Sequence, residues 1–215
     1  SFEKPQDFIV TRDTIIVKSV KWETNPDKIM VITVSHFNSD TTELFNRAVR
    51  DTIKQNPKGI ILDLRNDPGG YLETAIDVAS EWVEDGTVVT EKFSDDEKNE
   101  YLARGRARLK DFKTVVLVNE GSASASEIVA GALKDLGLAK IVGKKTFGKG
   151  SVQELESLSD GSSLKITVAK WLTPKGININ EDGIFPDEEI NLTPEDYQNN
   201  LDPQIDKAVE IIKSK

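Results

Sequence analysis

The sequence predicts an α/β fold in which parallel strands alternate with helices, with an added antiparallel β-hairpin region. Three apolar runs typical of buried strands are each followed by a segment with helical hydrophobic periodicity, and they lie at 29–35, 59–65 and 114–119. Strands that alternate with helices favour parallel crossover units. After Gly150 the pattern changes to two runs, 152–158 and 164–171, which flank a turn and indicate the hairpin.

The chain opens with a polar stretch of extended character. Short β segments are predicted at 8–10 and 14–20, and the Asn-Pro-Asp sequence at 25–27 is typical of a turn. We assign these residues to an N-terminal β segment, 1–28, that precedes the core at 29–190.

Three helices are predicted between the strands of the core, each with one apolar face, and Thr41 or Thr42 can cap the first. The apolar faces consist of Leu44, Phe45, Ala48, Val49, Thr52 and Ile53 in the first helix, of Leu72, Ala75, Ile76, Ala79, Trp82 and Val83 in the second, and of Ile128, Val129, Ala132, Leu133 and Leu136 in the third. A charged segment at 91–113 is interpreted as a surface excursion, in which helical structure is left open. The C-terminal segment, 191–215, contains a closing helix at 203–213.

The composition is that of a globular domain with enough apolar material for a core, since 37% of the 215 residues are hydrophobic and 30% are charged. The net charge of −9 disfavours a nucleic-acid partner, because phosphate binding needs clustered basic side chains. The chain has no cysteine, which excludes disulfides, thiolate zinc sites and cysteine nucleophiles. No apolar run is long enough to span a bilayer, and no signal peptide begins at Ser1.

Three serines lie where a predicted buried strand gives way to an amphipathic helix. Ser122, Ser124 and Ser126 occupy this turn, where free backbone N–H groups and the positive end of a helix dipole are available. A nucleophilic hydroxyl with oxyanion donors beside it requires such a place. The alternative is a simple capping box, because Ser124 and Glu127 match the pattern S-x-x-E.

Lys149 stands between two glycines and is either a solvated loop residue or a general base. To accept a serine proton, a lysine amine must be desolvated enough to be neutral, and flanking glycines let the backbone fold closely around it. Gln153 could hold the amine by a hydrogen bond. In a straight strand the two residues would lie roughly 13 Å apart, so Gly150 would have to turn the chain for them to touch.

The Asp-Pro-Gly-Gly turn at 67–70 leaves the carboxyl end of a predicted strand, as the serine turn does, and ligands bind at these ends of open parallel sheets. Gly69 or Gly70 therefore offers a backbone N–H as an oxyanion donor, together with the N–H of Ala125. The alternative is a plain tight turn before a helix. His36, the single histidine, is expected at the core or rim rather than in a catalytic triad, and no metal-ligand spacing is present.

Five motifs occur together in one order, at 59–70, 116–133, 146–150, 172–176 and 182–187. They contain Asp-Pro-Gly-Gly, Ser-Ala-Ser-Ala-Ser-Glu, Thr-Phe-Gly-Lys-Gly, Leu-Thr-Pro-Lys-Gly and Asp-Gly-Ile-Phe-Pro-Asp. In this combination the chain closely resembles the C-terminal processing (tail-specific) serine peptidases of bacteria and chloroplasts, over about residues 7–190. The resemblance implies a Ser-Lys catalytic site on a core related to crotonase and to the Clp protease subunit.

The resemblance also implies the role of each site residue. Ser124, the middle serine, is the nucleophile, Lys149 is the general base, and Gln153 orients the lysine. Some members also use an aspartate that matches Asp135. The place of Asp135, three helical turns beyond the nucleophile, favours a structural partner instead.

The oxyanion hole implied by the resemblance consists of Gly69 or Gly70 together with Ala125. The chain departs from the family here, because Asp67 stands where members usually have asparagine, and a carboxylate near an oxyanion hole could oppose the developing negative charge. Members also carry a PDZ domain ahead of the segment that matches 8–20. That domain is missing from this chain, so we expect a protease core without it.

The function implied by the resemblance is a serine endopeptidase that cleaves unfolded or flexible proteins near apolar C-termini through an acyl-enzyme. Its partners would be protein or peptide substrates, with no cofactor and no metal, and homo-oligomerisation is left open. The expected location is extracytoplasmic, in a periplasm, cell envelope or thylakoid lumen. Two alternatives remain: a catalytically latent core that binds peptides or ligands, and an acyl-CoA-handling crotonase, which the lysine motif disfavours.

Overall fold

The computed structural model describes residues 17–180 and 182–214, which form two β-sheets and five helices. The helices are α1 (Thr41–Gln55), α2 (Leu72–Ala79), α3 (Ala125–Asp135), α4 (Pro194–Gln198) and α5 (Pro203–Lys213). The strands are β1 (Val20–Thr24), β2 (Met30–Val34), β3 (Ile60–Asp63), β4 (Thr87–Lys92), β5 (Lys98–Leu102), β6 (Thr114–Val118), β7 (Lys140–Gly143), β8 (Ser151–Ser157), β9 (Ser163–Leu172) and β10 (Glu188–Glu189). The predicted β segment at 8–10 and the start of the one at 14–20 lie outside the described residues. No helix within the described ranges combines the length and apolarity needed to cross a membrane.

The larger sheet contains the parallel strands that the sequence predicts. Its strand order is β1-β2-β3-β6-β7-β10, and every neighbouring pair is parallel except β1 with β2. The crossovers from β2 to β3, β3 to β6 and β6 to β7 contain α1, α2 and α3 in turn. Because these strands run in one direction, the loops that leave their carboxyl ends lie along one edge of the sheet, where parallel sheets bind their ligands.

Both faces of this sheet are covered, which explains why its strands read as nearly continuous apolar runs. Ile60 and Leu62 pack in the core cluster that α1, α2 and α3 share with the sheet, whereas Ile61 between them packs in the cluster of α5. The predicted closing helix is α5, and it forms the third layer.

The smaller sheet is antiparallel, with strand order β5-β4-β9-β8. Its strands β8 and β9 form the predicted hairpin, and β8 lies at the edge of the sheet. The register shifts between Val152 and Gln153, which is a β-bulge or irregularity near the start of β8. The α/β class with an added antiparallel hairpin region is thereby confirmed.

The segment at 91–113 is more deeply integrated than a surface excursion. It contains the end of β4 and all of β5, and the remainder is irregular rather than helical. Leu109 is fully buried, and Arg106 and Arg108 form ion pairs with Glu81, whose side chain is almost completely buried. Buried apolar and paired charged groups therefore fix this segment against the main body.

The closing helix α5 is held at both of its ends. At its N-terminus Asp202 accepts from the N–H of Ile205 at 3.0 Å, and its carboxylate forms an ion pair with Arg65 at 2.9 Å. At its C-terminus Ile212 packs so closely against Gly59 that a Cβ added there would lie 2.6 Å from Ile212 Cγ2. Because Gly59 has no side chain, it leaves room for Ile212, whose side chain packs α5 against the sheet.

Replacing Ile212 with alanine tests how much α5 contributes to stability. The buried side chain is 6% exposed, so Ile212→Ala should lower the free energy of unfolding by roughly 2–4 kcal/mol through lost burial and a cavity. Ile53 on α1 is 46% exposed, and Ile53→Ala should cost less than about 1 kcal/mol. Urea denaturation measures both values, and equal losses would contradict this account of α5.

Candidate active site

The candidate site is formed by three loops that leave neighbouring parallel strands at the same edge of the sheet. Residues 64–70 follow β3, residues 119–124 follow β6, and residues 144–149 follow β7. The first of these contains the Asp-Pro-Gly-Gly turn, the second the serines and the third the lysine. The fold thus brings together the three motifs that the sequence singles out.

The first two loops are joined by hydrogen bonds between asparagines. Asn119 Oδ1 accepts from the backbone N–H of Asn66 at 2.8 Å, and Asn119 Nδ2 donates to Asn66 Oδ1 at 3.0 Å. A Cβ added at Gly121 would lie 2.9 Å from Asn66 Cα, so only a glycine fits between them without displacement. These contacts fix the position of the glycine turn relative to the serine turn.

The three serines have different surroundings. Ser122 and Ser126 are fully buried, and their hydroxyls donate to the carbonyl oxygens of Leu64 at 2.8 Å and Asp67 at 2.9 Å. Ser124 is only half-buried. The outer two serines therefore hold the loops together, and the middle one reaches the surface of the site.

The backbone at Ser124 is in a conformation that L-residues rarely adopt. Its φ is 56° and its ψ is −112°, and it stands between β6 and the first residue of α3. In α/β-hydrolases a similarly sharp and strained strand-to-helix turn presents the nucleophilic hydroxyl. The turn at Ser124 presents a hydroxyl at a helix N-terminus in the same manner.

The candidate oxyanion donors differ in whether their N–H groups are already hydrogen-bonded. The N–H of Gly69 donates to Asp67 Oδ1 at 2.8 Å and is thereby engaged. Within the described residues the N–H groups of Gly70 and Ala125 have no hydrogen-bond partner. A Cβ added at Gly69 would lie 2.8 Å from both Ser124 Cβ and Ala125 N, so the glycine turn directly contacts the serine turn. Gly70 and Ala125 are the donors left available to an oxyanion.

Glu127 links the serine turn to the lysine loop. Its buried carboxylate accepts four hydrogen bonds, which come from Ser124 N at 2.8 Å, Thr146 Oγ1 at 2.6 Å, Gly148 N at 2.6 Å and Lys149 N at 2.9 Å. All four partners donate, so both oxygens act as acceptors, as in an ionised carboxylate. The S-x-x-E pattern reveals the bond to Ser124, but its link to the lysine loop requires the tertiary structure.

The lysine loop is also held from its other side. Thr146 Oγ1 accepts from the N–H of Ile184 at 2.6 Å, and the N–H of Phe147 donates to the carbonyl of Ser122 at 3.0 Å. At Gly150 an added Cβ would lie 2.1 Å from Asn180 N, so the chain passes directly against the segment before the Asp-Gly-Ile-Phe motif. This close approach accounts for the glycine after the lysine.

The side chains of Lys149 and Gln153 are both exposed. The Lys149 amine forms no hydrogen bond or ion pair with another described residue, whereas its backbone is bound to Glu127. Gln153 Nε2 lies 3.5 Å from Thr167 Oγ1, across the β8–β9 pair. In this structure the glutamine amide is thus directed to β9 and does not bind the lysine.

Two further polar residues lie away from this cluster. Asp135, at the end of α3, accepts from the backbone N–H of Lys175 at 2.9 Å and so holds the turn of the Leu-Thr-Pro-Lys-Gly motif. His36 is exposed and makes its described contact through its carbonyl, which accepts from Thr41 Oγ1. No group of three or more histidine, aspartate or glutamate side chains suited to a metal ion occurs in the described ranges.

Asp67 is a buried carboxyl beside the candidate oxyanion donors. Its backbone carbonyl accepts from Ser126 Oγ and from Ala123 N, both at 2.9 Å, which ties the turn to the start of α3. Burial raises the pKa of the Asp67 carboxyl to about 7, against the opposite influence of the hydrogen bond from Gly69 N–H and of the Ser126 hydroxyl. This carboxyl therefore changes charge near neutral pH.

Known proteins match this chain over most of its length. A family model described as peptidase family S41 matches residues 28–190. Proteins named "Probable CtpA-like serine protease" from Staphylococcus epidermidis and Staphylococcus aureus are each 44% identical over 200 residues, which is 92% of this chain and 40% of theirs. The solved structure of a photosystem II D1 C-terminal processing protease superposes with a TM-score of 0.78 at 32% identity, covering 95% of this chain and 55% of that one. This chain thus spans less than half the length of the curated relatives that it matches.

Replacing Glu127 with glutamine tests the link between the two loops. Glu127→Gln turns one acceptor oxygen into an NH₂ donor facing backbone N–H groups, so the free energy of unfolding should fall by about 2 kcal/mol or more. Glu120, on the same turn but exposed, is the matched control, and Glu120→Gln should change stability by less than about 0.5 kcal/mol. Urea denaturation gives both values, and a Glu127→Gln protein as stable as the control would refute the proposed link.

Proposed function

The chain belongs to peptidase family S41, and from this premise we propose that it is a serine endopeptidase with a Ser-Lys mechanism. Its substrates would be unfolded or flexible proteins, cleaved near apolar C-termini. One of the similar structures is that of a C-terminal processing protease, which supports cleavage near C-termini.

The observation that carries the proposal is the geometry around Ser124. Its hydroxyl stands on a strained turn at the N-terminus of α3, next to the N–H of Ala125, and the glycine turn that packs against it carries the N–H of Gly70. Neither N–H has a hydrogen-bond partner among the described residues. A serine that attacks a carbonyl carbon needs N–H donors at the oxygen that becomes negatively charged. A free N–H at Ala125 is expected at the start of any helix, but a capping serine alone would not require this strain or the free N–H of Gly70.

Lys149 is the proposed general base. It would take the proton of Ser124 as the hydroxyl attacks, and the acyl-enzyme that forms would then be hydrolysed by water. The amine is exposed and without a partner in the described part of the chain, and its backbone is held to that of Ser124 through Glu127. A bound substrate would exclude water from the amine and so favour its neutral form. Gln153 would bind the amine only after leaving Thr167.

A substrate in extended conformation has two features to bind to. Strand β8 begins two residues after Lys149 and lies at the edge of the smaller sheet, so an extended chain can pair with it. Tyr71, which directly follows the glycine turn, is 62% exposed, and Phe147, which lies in the lysine loop, is 66% exposed. These exposed rings would contact apolar side chains of the substrate, in keeping with a preference for apolar C-termini.

The proposed location is extracytoplasmic, as the resemblance to C-terminal processing peptidases implies. The division into an N-terminal β segment (1–28), a core (29–190) and a C-terminal segment (191–215) remains a prediction, with which the family match over 28–190 agrees. Strand β1 nevertheless pairs with β2 in the main sheet, so the end of the first segment packs with the core.

A catalytically latent core that binds peptides is the second candidate. It is favoured by one observation: Gln153 is engaged by Thr167 and leaves the Lys149 amine in solvent. A resting arrangement of this kind would need a conformational change, a further domain or a partner before the lysine could act. The test below separates the two candidates.

Digestion of a disordered protein such as casein tests the proposed mechanism. The intact chain should cleave it, whereas Ser124→Ala and Lys149→Arg should lose at least about 10²-fold in kcat/KM, because arginine keeps the charge but cannot act as a base. Lys145→Arg, on the same loop, is the control and should retain activity. Cleavage products are identified by mass spectrometry.

Two results would count against the Ser-Lys proposal. An active Lys149→Arg protein would exclude lysine as the base. Silence of the intact chain, with binding of casein still measurable, would favour the latent core instead.

A further inference from the structure

Asp67 has an unusual environment for a carboxyl group. Its side chain has no solvent exposure, and Oδ1 accepts from the N–H of Gly69 at 2.8 Å. The other oxygen, Oδ2, is buried and has no hydrogen-bond partner among the described residues. A buried carboxylate oxygen without a partner is costly, so this arrangement favours the protonated, neutral carboxyl.

Within residues 17–180 and 182–214, no cationic side chain pairs with the carboxyl of Asp67. The charged and titratable groups on the elements around it are Asp63 and Arg65 before it, Tyr71 after it, His36 and Asp40 between β2 and α1, Glu73 and Asp77 on α2, Glu127, Lys134 and Asp135 on α3, and Lys144, Lys145 and Lys149 after β7. Arg65 is paired with Asp63 and Asp202, and Lys149 points its amine to solvent. None of these groups forms an ion pair or hydrogen bond with the Asp67 side chain in the described part of the structure.

The position of Asp67 couples its charge to the candidate oxyanion hole. Its side chain binds the N–H of Gly69, where an added Cβ would lie only 2.8 Å from Ser124 Cβ and from the backbone N of Ala125. In a bound substrate the attacked carbonyl oxygen would therefore be separated from the Asp67 carboxyl only by this turn, in a buried region of low dielectric. A negative charge there would oppose the negative charge that develops on the substrate oxygen.

We infer that Asp67 sets the upper pH limit of catalysis: the neutral carboxyl permits oxyanion formation beside Gly70 and Ala125, and its ionised form suppresses it. This inference rests on the proposed serine peptidase function. Asp67 does not touch the substrate, and it acts through the backbone of Gly69. Its raised pKa of about 7 would place the change in the neutral range.

The same titration should appear in the stability of the protein. The ordinary pKa of an aspartate is 3.8, and in the folded protein that of Asp67 is about 7. Between these values the folded state retains a proton that the unfolded chain has lost, so the contribution of Asp67 to stability falls as the pH rises through this window. Asp67→Asn, which carries no charge, should lack this fall.

The test compares kcat/KM for fluorescein-labelled casein between the wild-type chain, Asp67→Asn and the control Asp111→Asn, which removes an exposed carboxylate. The ratio of Asp67→Asn to wild type should rise about tenfold or more between about pH 5.5 and about pH 8.5, because only the wild type acquires the opposing charge. The ratio for Asp111→Asn should stay constant. Taking ratios cancels the ionisation of Lys149 and of the substrate, which all three proteins share.

A second readout does not depend on catalysis. In the inactive Ser124→Ala chain, NMR of ¹³C-labelled aspartate carboxyls should show one carboxyl titrating near neutral pH, and Asp67→Asn should remove that signal. The melting temperature of Ser124→Ala relative to the doubly substituted chain should fall as the pH rises from 3.8 to about 7 and then level off. If the signal that Asp67→Asn removes titrates in the ordinary aspartate range instead, the inference is overturned.

The remaining outcomes also decide the question. A constant Asp67→Asn ratio in an active enzyme would overturn the inference and leave the proposed function intact. No cleavage by the wild type at any pH would overturn both. If Asp67→Asn does not fold, the carboxyl titration in Ser124→Ala decides, and the absence of any aspartate carboxyl that titrates near neutral pH would refute the inference.

Discussion

The buried carboxylate of Glu127 is the contact on which the arrangement of the site depends. It binds the backbone N–H groups of Ser124, Gly148 and Lys149, which belong to loops on two neighbouring strands. The proposed nucleophile and the proposed base are thus placed by one side chain. Hydrogen bonds to an ionised group are shorter and stronger than those between neutral groups. The Glu127 carboxylate is therefore well suited to hold the serine turn and the lysine loop in fixed positions relative to each other.

The other contacts around the site serve to keep Ser124 in its strained conformation. A non-glycine residue in such a conformation costs of the order of 1–3 kcal/mol and persists only where its surroundings determine it. Three sets of contacts hold Ser124 in this conformation: the hydrogen bonds of the buried Ser122 and Ser126 hydroxyls, the asparagine pair, and the close approach of Gly69. Lys149 and Gln153 are held less firmly, since both side chains are exposed. The structure therefore combines a Ser124 turn that is held by many contacts with a lysine side chain that is exposed.

Much of the fold could be predicted because local and tertiary preferences agree. The buried runs at 59–65 and 114–119 contain parallel strands, and the periodicity of the closing helix matches α5. The segment at 91–113 was misjudged because its charged residues suggested solvent, whereas Arg106 and Arg108 pair with the buried Glu81.

Within the site, sequence spacing could identify the three motifs but not their hydrogen bonds. It offered Gly69 and Gly70 as equal donors, and only the bond from Gly69 to Asp67 distinguishes them. The burial of Asp67 likewise results from contacts between loops distant in sequence.

The central claim is that Ser124 is an activated nucleophile beside a preformed oxyanion site. Labelling with a fluorophosphonate, which reacts covalently with activated serines, tests this directly without any knowledge of the natural substrate. The account predicts a single adduct that peptide mapping by mass spectrometry locates at Ser124, and no adduct in Ser124→Ala. Labelling that persists in Ser124→Ala, or that maps to another serine, would contradict it.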